Sequence, residues 1–250
     1  MLANRVVPCL DIDDGRVVKG VRFQGLRDAG DPVESARAYE MQGGDEIVLL
    51  DVSATPQGRA NNLAVVDAVR QMLSIPLTVG GGVRAADDAA RLLDAGADKV
   101  GINTAAVERP DLIGEMKARF GAQCTVVAVD AARSGRGWEV VVRSGKERTG
   151  IDAIEWCEKA VGYGAGEILL TSWDRDGTGQ GYDVELIRHV TEAVNVPVIA
   201  SGGADGYLHM IEAYEAGATA ALIASILHDG VTTVGELKDG IAAAGIRVRP

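Results

Sequence analysis

The chain has 250 residues, 47% of them apolar and 24% charged, enough for one large core of the size a β/α barrel needs. Its 36 acidic against 25 basic residues leave a formal charge of −11, which opposes broad attraction to nucleic acid or anionic membrane, so neither is an expected partner. Cys9, Cys124 and Cys157 stand far apart with no C-x-x-C pair, which argues against a disulfide framework or a zinc site and for a reducing cytoplasm.

No signal peptide, transmembrane run or low-complexity linker is visible, and a single soluble domain over residues 1–250 is expected. In chain order, short β-branched runs at 5–10, 46–51, 77–79, 99–102, 125–129, 167–171, 198–200 and 220–223 read as strands. Between them, and after the last, segments 32–43, 61–73, 86–95, 110–120, 153–163, 184–194, 207–216 and 234–244 carry apolar residues near helical spacing, with Gly, Asp or Pro at their ends. Strand alternating with helix means a parallel sheet, and runs such as Ile47-Val48-Leu49-Leu50 suit strands buried on both faces. Eight such units predict a (β/α)8 TIM barrel, with an open doubly wound sheet as the alternative.

An internal repeat favours closure. At an offset of 121 residues, Gly43-Gly44-Asp45-Glu46 falls on Gly164-Ala165-Gly166-Glu167, Gly80-Gly81-Gly82 on Ser201-Gly202-Gly203, and Asn103-Thr104 on Ala224-Ser225. Asp11 falls on Asp130 at the nearly equal offset of 119. The chain therefore reads as two pseudo-symmetric half-barrels, and a site in one half should have a twin in the other.

The triplet Gly80-Gly81-Gly82 and the pair Asn103-Thr104 follow the third and fourth strands, where loops at the catalytic face of such a barrel meet helix N-termini. Glycines there let backbone N–H groups approach an anion closely. Gly202-Gly203 and Ala224-Ser225 repeat the arrangement. One such cluster is as readily a tight turn; two in matching places point to a ligand with phosphates at opposite rims.

Asp11 and Asp130 end strands one and five, which puts them across the barrel mouth from each other, placed for general acid/base catalysis. A lone Asp after a strand is as often a helix cap, but twins are harder to explain that way. After strand six, Asp176 is a candidate to position substrate or move a proton, while Asp174 and Arg175 read as a mutual loop staple; Asp51 and Ser201 are further mouth candidates, and Trp173 is expected near the mouth. His189, His209 and His228 share no metal-ligand spacing and Gly80-Gly81-Gly82 lacks the G-x-G-x-x-G pattern, so neither metal nor cofactor is expected.

Several motifs resemble one family closely: Cys9-Leu10-Asp11 with Gly15-Arg16-Val17-Val18-Lys19-Gly20, Leu26 to Pro32, Thr78 to Gly82, Ala97 to Val100, Ile102 to Val107, Thr171 to Thr178 and Ala200 to Ala204. That family is the cyclase subunit of imidazole glycerol phosphate synthase, in histidine biosynthesis, and the resemblance spans nearly the whole chain. It implies a lyase that joins ammonia from a separate glutaminase subunit to a phosphoribulosyl formimino aminoimidazole carboxamide ribotide, giving imidazole glycerol phosphate and aminoimidazole carboxamide ribotide.

By the same resemblance, Asp11 and Asp130 are the acid/base pair and Lys19 is a mobile-loop lysine closing over the substrate. The substrate-binding set becomes Lys19, Gly82, Asn103, Thr104, Thr171, Asp176, Gly177, Ser201, Gly202, Gly203, Ala224 and Ser225. Arg5, Glu46, Lys99 and Glu167 match a charged gate for ammonia at the barrel bottom; the plainer reading is a salt-bridged plug. Asp98 and Gln123 nearby are candidate docking residues for the glutaminase. Asp205-Gly206 departs from the family's usual Gly-Lys or Gly-polar pair and brings a negative charge to the second phosphate cradle; Gly101 stands where serine is common. The alternatives are the isomerase of the preceding step, whose usual Ala-Ile-Asp-Leu start and Thr-Asp after strand six are absent, and a non-catalytic phosphate-binding scaffold.

Overall fold

The computed structural model describes residues 3–21 and 24–249. Among these, twelve strands run in the order β1 (Arg5–Asp13), β2 (Arg16–Val21), β3 (Gln24–Gly30), β4 (Ile47–Asp51), β5 (Leu77–Gly80), β6 (Lys99–Ile102), β7 (Thr125–Ser134), β8 (Gly137–Val142), β9 (Glu147–Asp152), β10 (Glu167–Ser172), β11 (Val198–Ser201) and β12 (Ala220–Ile223). Eight of them, β1, β4, β5, β6, β7, β10, β11 and β12, pair in parallel, and the pairings of β7 with β10 and of β12 with β1 complete a ring. The fold is a closed (β/α)8 TIM barrel; the open-sheet alternative fails because no barrel strand is left with a free edge.

All eight expected helices form: α1 (Pro32–Met41), α3 (Leu63–Met72), α4 (Ala86–Asp94), α6 (Asp111–Phe120), α7 (Ala153–Tyr163), α8 (Val184–Ala193), α9 (Tyr207–Glu215) and α11 (Val234–Ala243). Three short helices follow strand ends unannounced: α2 (Ala54–Gln57), α5 (Thr104–Glu108) and α10 (Ser225–His228). The repeat reaches down to single caps. Asp31 accepts from the N–H groups of Val33 and Glu34 at the start of α1, and Asp152, 121 residues on, accepts from those of Ile154 and Glu155 at the start of α7. None of the described helices is long and apolar enough to cross a membrane.

The segments after β1 and β7 differ from expectation. Each is an antiparallel hairpin, β2–β3 and β8–β9, extending its barrel strand beyond the ring. Lys19 therefore stands on a strand, β2, rather than in a loop; the run Arg16-Val17-Val18-Lys19 has the β-branched residues to form one. The tip residues 22 and 23 lie outside the described set.

Side chains facing the barrel interior recur every second residue, as strand geometry requires. On β1 the series is Arg5, Val7, Cys9, Asp11, and on β10 it is Glu167, Leu169, Thr171. A layer of Val7, Cys9, Val48, Val126, Leu169, Ile199, Ala220 and Leu222 fills the middle of the barrel. A larger apolar shell packs between strands and helices. The interior thus has three levels: charge below, hydrocarbon in the middle, and a polar mouth at the C-terminal strand ends.

Candidate active site at the barrel mouth

The mouth opens into a cavity of about 570 Å3. Asp11, Asp130 and all twelve expected substrate-binding residues line it, as does Asp51. Both acids are nearly sealed from solvent, Asp11 at 6% and Asp130 at 7% exposure, but their partners differ. The Lys19 ammonium lies 3.6 Å from Asp11 Oδ2, and the Cys9 thiol approaches Oδ1 at 3.7 Å. Lys19 is itself buried; burial alone would lower its pKa, yet the carboxylates of Asp11 and Asp176 outweigh that and hold it raised.

Asp130 has no such cation. Asn103 Nδ2 donates to its Oδ2 at 2.9 Å. Burial, with the charge of Asp176 and a smaller push from Asp11, drives its pKa up from 3.8 to about 7 against the opposing hydrogen bonds of Thr171 and Asn103. One carboxylate paired with an ammonium and one poised near neutrality are suited to opposite directions of proton transfer.

The glycine loops take the shape an anion seat needs. Gly81, Gly82, Gly202 and Gly203 have φ of 94°, 71°, 91° and 103°, where a side chain is strained. A Cβ on Gly81 would sit 2.1 Å from the carbonyl oxygen of Asp51, and one on its twin Gly202 would sit 2.7 Å from that of Ser172. These glycines let adjacent mouth loops touch at the cavity wall.

Thr55, Arg84, Arg143 and Ser144 are among the wall residues that escaped the sequence reading. Thr55 Oγ1 accepts from the Gly82 amide at 3.2 Å. Arg143 and Ser144 form the tip of the β8–β9 hairpin in left-handed conformation, φ 55° and 57°. The tip is held across the mouth by the Arg143 amide donating to Thr104 Oγ1 at 3.0 Å and the Ser144 hydroxyl donating to the Val52 carbonyl at 3.0 Å. The glycine at 145 and the hydroxyl beside it were the available signal of such a turn.

Other expectations fall elsewhere. Trp173 stands behind the hairpin turn, its indole against Gly145, and not in the cavity wall. Asp174 accepts from the Arg133 amide at 2.6 Å, while Arg175 donates to the Gln180 carbonyl at 3.0 Å. Trp156 is buried in the shell under α7. His228 meets the Tyr39 hydroxyl at 2.6 Å, His209 faces Asp205, and His189 packs on Trp138.

At the opposite end Arg5 bridges Glu46 and Glu167, and Lys99 bridges the same two carboxylates at 2.9 and 2.8 Å. The Thr78 hydroxyl adds a bond to Glu46 at 2.6 Å. Asp98 and Gln123 are exposed at this end. Asp98 already accepts from the Leu77 amide and from Arg70.

Known proteins resemble this chain over its whole length. The profile of the family described as histidine biosynthesis protein matches residues 5–233. The chain is 53% identical over 249 residues to the imidazole glycerol phosphate synthase subunit HisF of Exiguobacterium sibiricum, covering 100% of both chains. It is 54% identical over 255 residues to the subunit of that name from Mycobacteroides abscessus, covering 99% of each, and 56% identical over 252 residues to that of Caulobacter vibrioides, covering 100% of this chain and 97% of the relative. By the extent of the profile and the full-length identity, this chain belongs to the histidine biosynthesis protein family.

Proposed function

We propose that this chain is the cyclase subunit of an imidazole glycerol phosphate synthase acting in the cytoplasm. It would join ammonia to the ketone of the phosphoribulosyl formimino intermediate and close the imidazole ring, releasing aminoimidazole carboxamide ribotide. The observation that carries the reading is the pair of buried carboxylates, Asp11 and Asp130, sharing one cavity with twin glycine seats. A substrate with a phosphate at each end fits two seats, and its reacting centre then lies between the two acids. Asp11, beside Lys19, takes the proton that the attacking nitrogen sheds; Asp130, whose pKa of about 7 leaves a large share of it protonated near neutral pH, gives one to the oxygen that leaves as water.

The ring of Arg5, Glu46, Lys99 and Glu167 is proposed as the gate through which ammonia enters from below. A glutaminase subunit would dock on that face, with Asp98 and Gln123 among its contacts. In support, the ring caps a neutral, hydrocarbon-lined interior that leads upward to the acids.

Ammonium salts supplied without a glutaminase test the reading. The expected outcome is ammonium-dependent consumption of the formimino intermediate with release of both products. Isomerase activity needs no nitrogen source, and a scaffold would turn over nothing; either result would overturn the assignment. Asp11→Asn should abolish turnover while substrate still binds, because the carboxylate's task is proton transfer.

A further inference from the structure

The repeat that makes the two anion seats alike inverts the sign of charge at one wall position. Two residues after Gly82 stands Arg84; two residues after Gly203, at the same offset of 121, stands Asp205. Both line the cavity. Their backbones are held in the same way, the Arg84 amide donating to Asp88 Oδ2 at 2.8 Å and the Asp205 amide to His209 Nδ1 at 3.2 Å, so only the charge is inverted.

Arg84 donates to the Gly58 carbonyl at 3.0 Å and has no ion pair among the described residues, leaving its charge available to a ligand. Beside it, the Arg143 amide holds Thr104 Oγ1 as an acceptor, which leaves that hydroxyl's own hydrogen to donate into the cavity. The Arg143 guanidinium, also in the wall, is shared with Glu108 and Glu147 at 2.8 and 3.0 Å. On the first side the wall carboxylates Asp51 and Glu108 are met by Arg59 and Arg143. On the second side the wall carboxylates are Asp176 and Asp205, the latter facing His209 at 3.3 Å, and Arg175, packed against Gly203, turns its guanidinium to Gln180.

We propose that the two seats are unequal: the first, at Gly82 under Arg84, binds a phosphate group tightly and fixes the direction in which a two-phosphate substrate lies, whereas Asp205 keeps the second seat at Gly203 weak. The proposal rests on reading both rims as phosphate seats. A weak second seat also lets one phosphate-bearing product leave first, since its release does not require breaking the Arg84 contact.

The test is a titration of the full-length protein with inorganic phosphate, followed through the backbone amide resonances of Gly82 and Gly203. The Gly82 signal should respond at about tenfold lower phosphate than the Gly203 signal, the weight of roughly one partly screened charge. Arg84→Gln keeps a donor for the Gly58 carbonyl but removes the charge, and should narrow that gap by weakening the first seat. Asp205→Asn should tighten the second seat roughly fivefold. Equal responses at the two glycines, or a gap that neither Arg84→Gln nor Asp205→Asn narrows, would overturn the proposal. Unequal seats without ammonium-dependent turnover would leave it standing and remove the cyclase reading instead; turnover with equal seats would do the reverse.

Discussion

The two ends of the barrel are built from the same inward-facing strand positions, yet they differ in how their charges are met. At the bottom, Arg5, Glu46, Lys99 and Glu167 each touch two partners of opposite sign. At the mouth, Asp11 has a single ammonium at 3.6 Å, and Asp130 has an amide donor but no cation within ion-pair distance among the described residues. Burial is common to both ends, so burial does not distinguish a structural charge from a reactive one. Pairing does: every charge of the bottom ring is met by opposite charge, whereas Asp130, buried without a paired cation among the described residues, has its titration moved up to about 7.

The strongest challenge to this contrast is a rate measurement at the mouth. Asp130→Asn should lower ammonium-supported kcat by about a thousandfold, the scale of a lost general acid, with substrate affinity changed far less. A loss confined to KM would mean that the residue only binds. At the bottom the expected effect is on stability. Lys99→Met removes one of the two cations serving Glu46 and Glu167 and should cost on the order of 3 kcal/mol in urea unfolding, because a buried carboxylate loses half its compensation. A cost near zero would class the ring with surface pairs.

A third measurement returns to Asp130. Its pKa is about 7 in the folded protein against 3.8 ordinarily, so the folded state retains a proton that the unfolded chain has lost. Stability through this group is therefore greatest at low pH and declines as pH rises from about 4 to about 7, then levels off. Asp130→Asn should flatten that part of the profile, and relative to wild type it should gain on the order of 2 kcal/mol between pH 5 and pH 7.5. An unchanged slope would show the carboxyl already ionised at pH 5. The smallest expected effect belongs to the hairpin strap: Ser144→Ala removes the bond to the Val52 carbonyl and should cost about 1 kcal/mol or less in thermal unfolding.

The eight barrel strands and their helices were legible because each carries its own period and punctuation, as in Ile47-Val48-Leu49-Leu50 or Asp31-Pro32. The mouth residues were legible because the repeat doubled every weak signal. What stayed hidden depends on distant parts of the chain. Arg143 and Ser144 reach the mouth only because the hairpin after β7 folds back over the loops that follow β4 and β6. Thr55 enters the first seat only through its bond to Gly82. The hairpins themselves were within reach: the offset of 121 carries Arg16 onto Gly137, the first residues of β2 and β8, so a strand in one half announced a strand in the other.

Those hairpins have one more effect, on how copies of the chain meet in a crowded solution. Ring closure leaves the barrel strands no open flank, so among the described strands the unpaired backbone edges belong to β3 and β9. Any sheet-to-sheet sticking between molecules must begin there. Both edges are polar and exposed, with Arg27 and Asp28 on one and Glu147 and Arg148 on the other, and a neighbouring strand approaching either would have to strip water from charged groups to pair. The two decorations that frame the mouth are thereby also the places where self-association is held off.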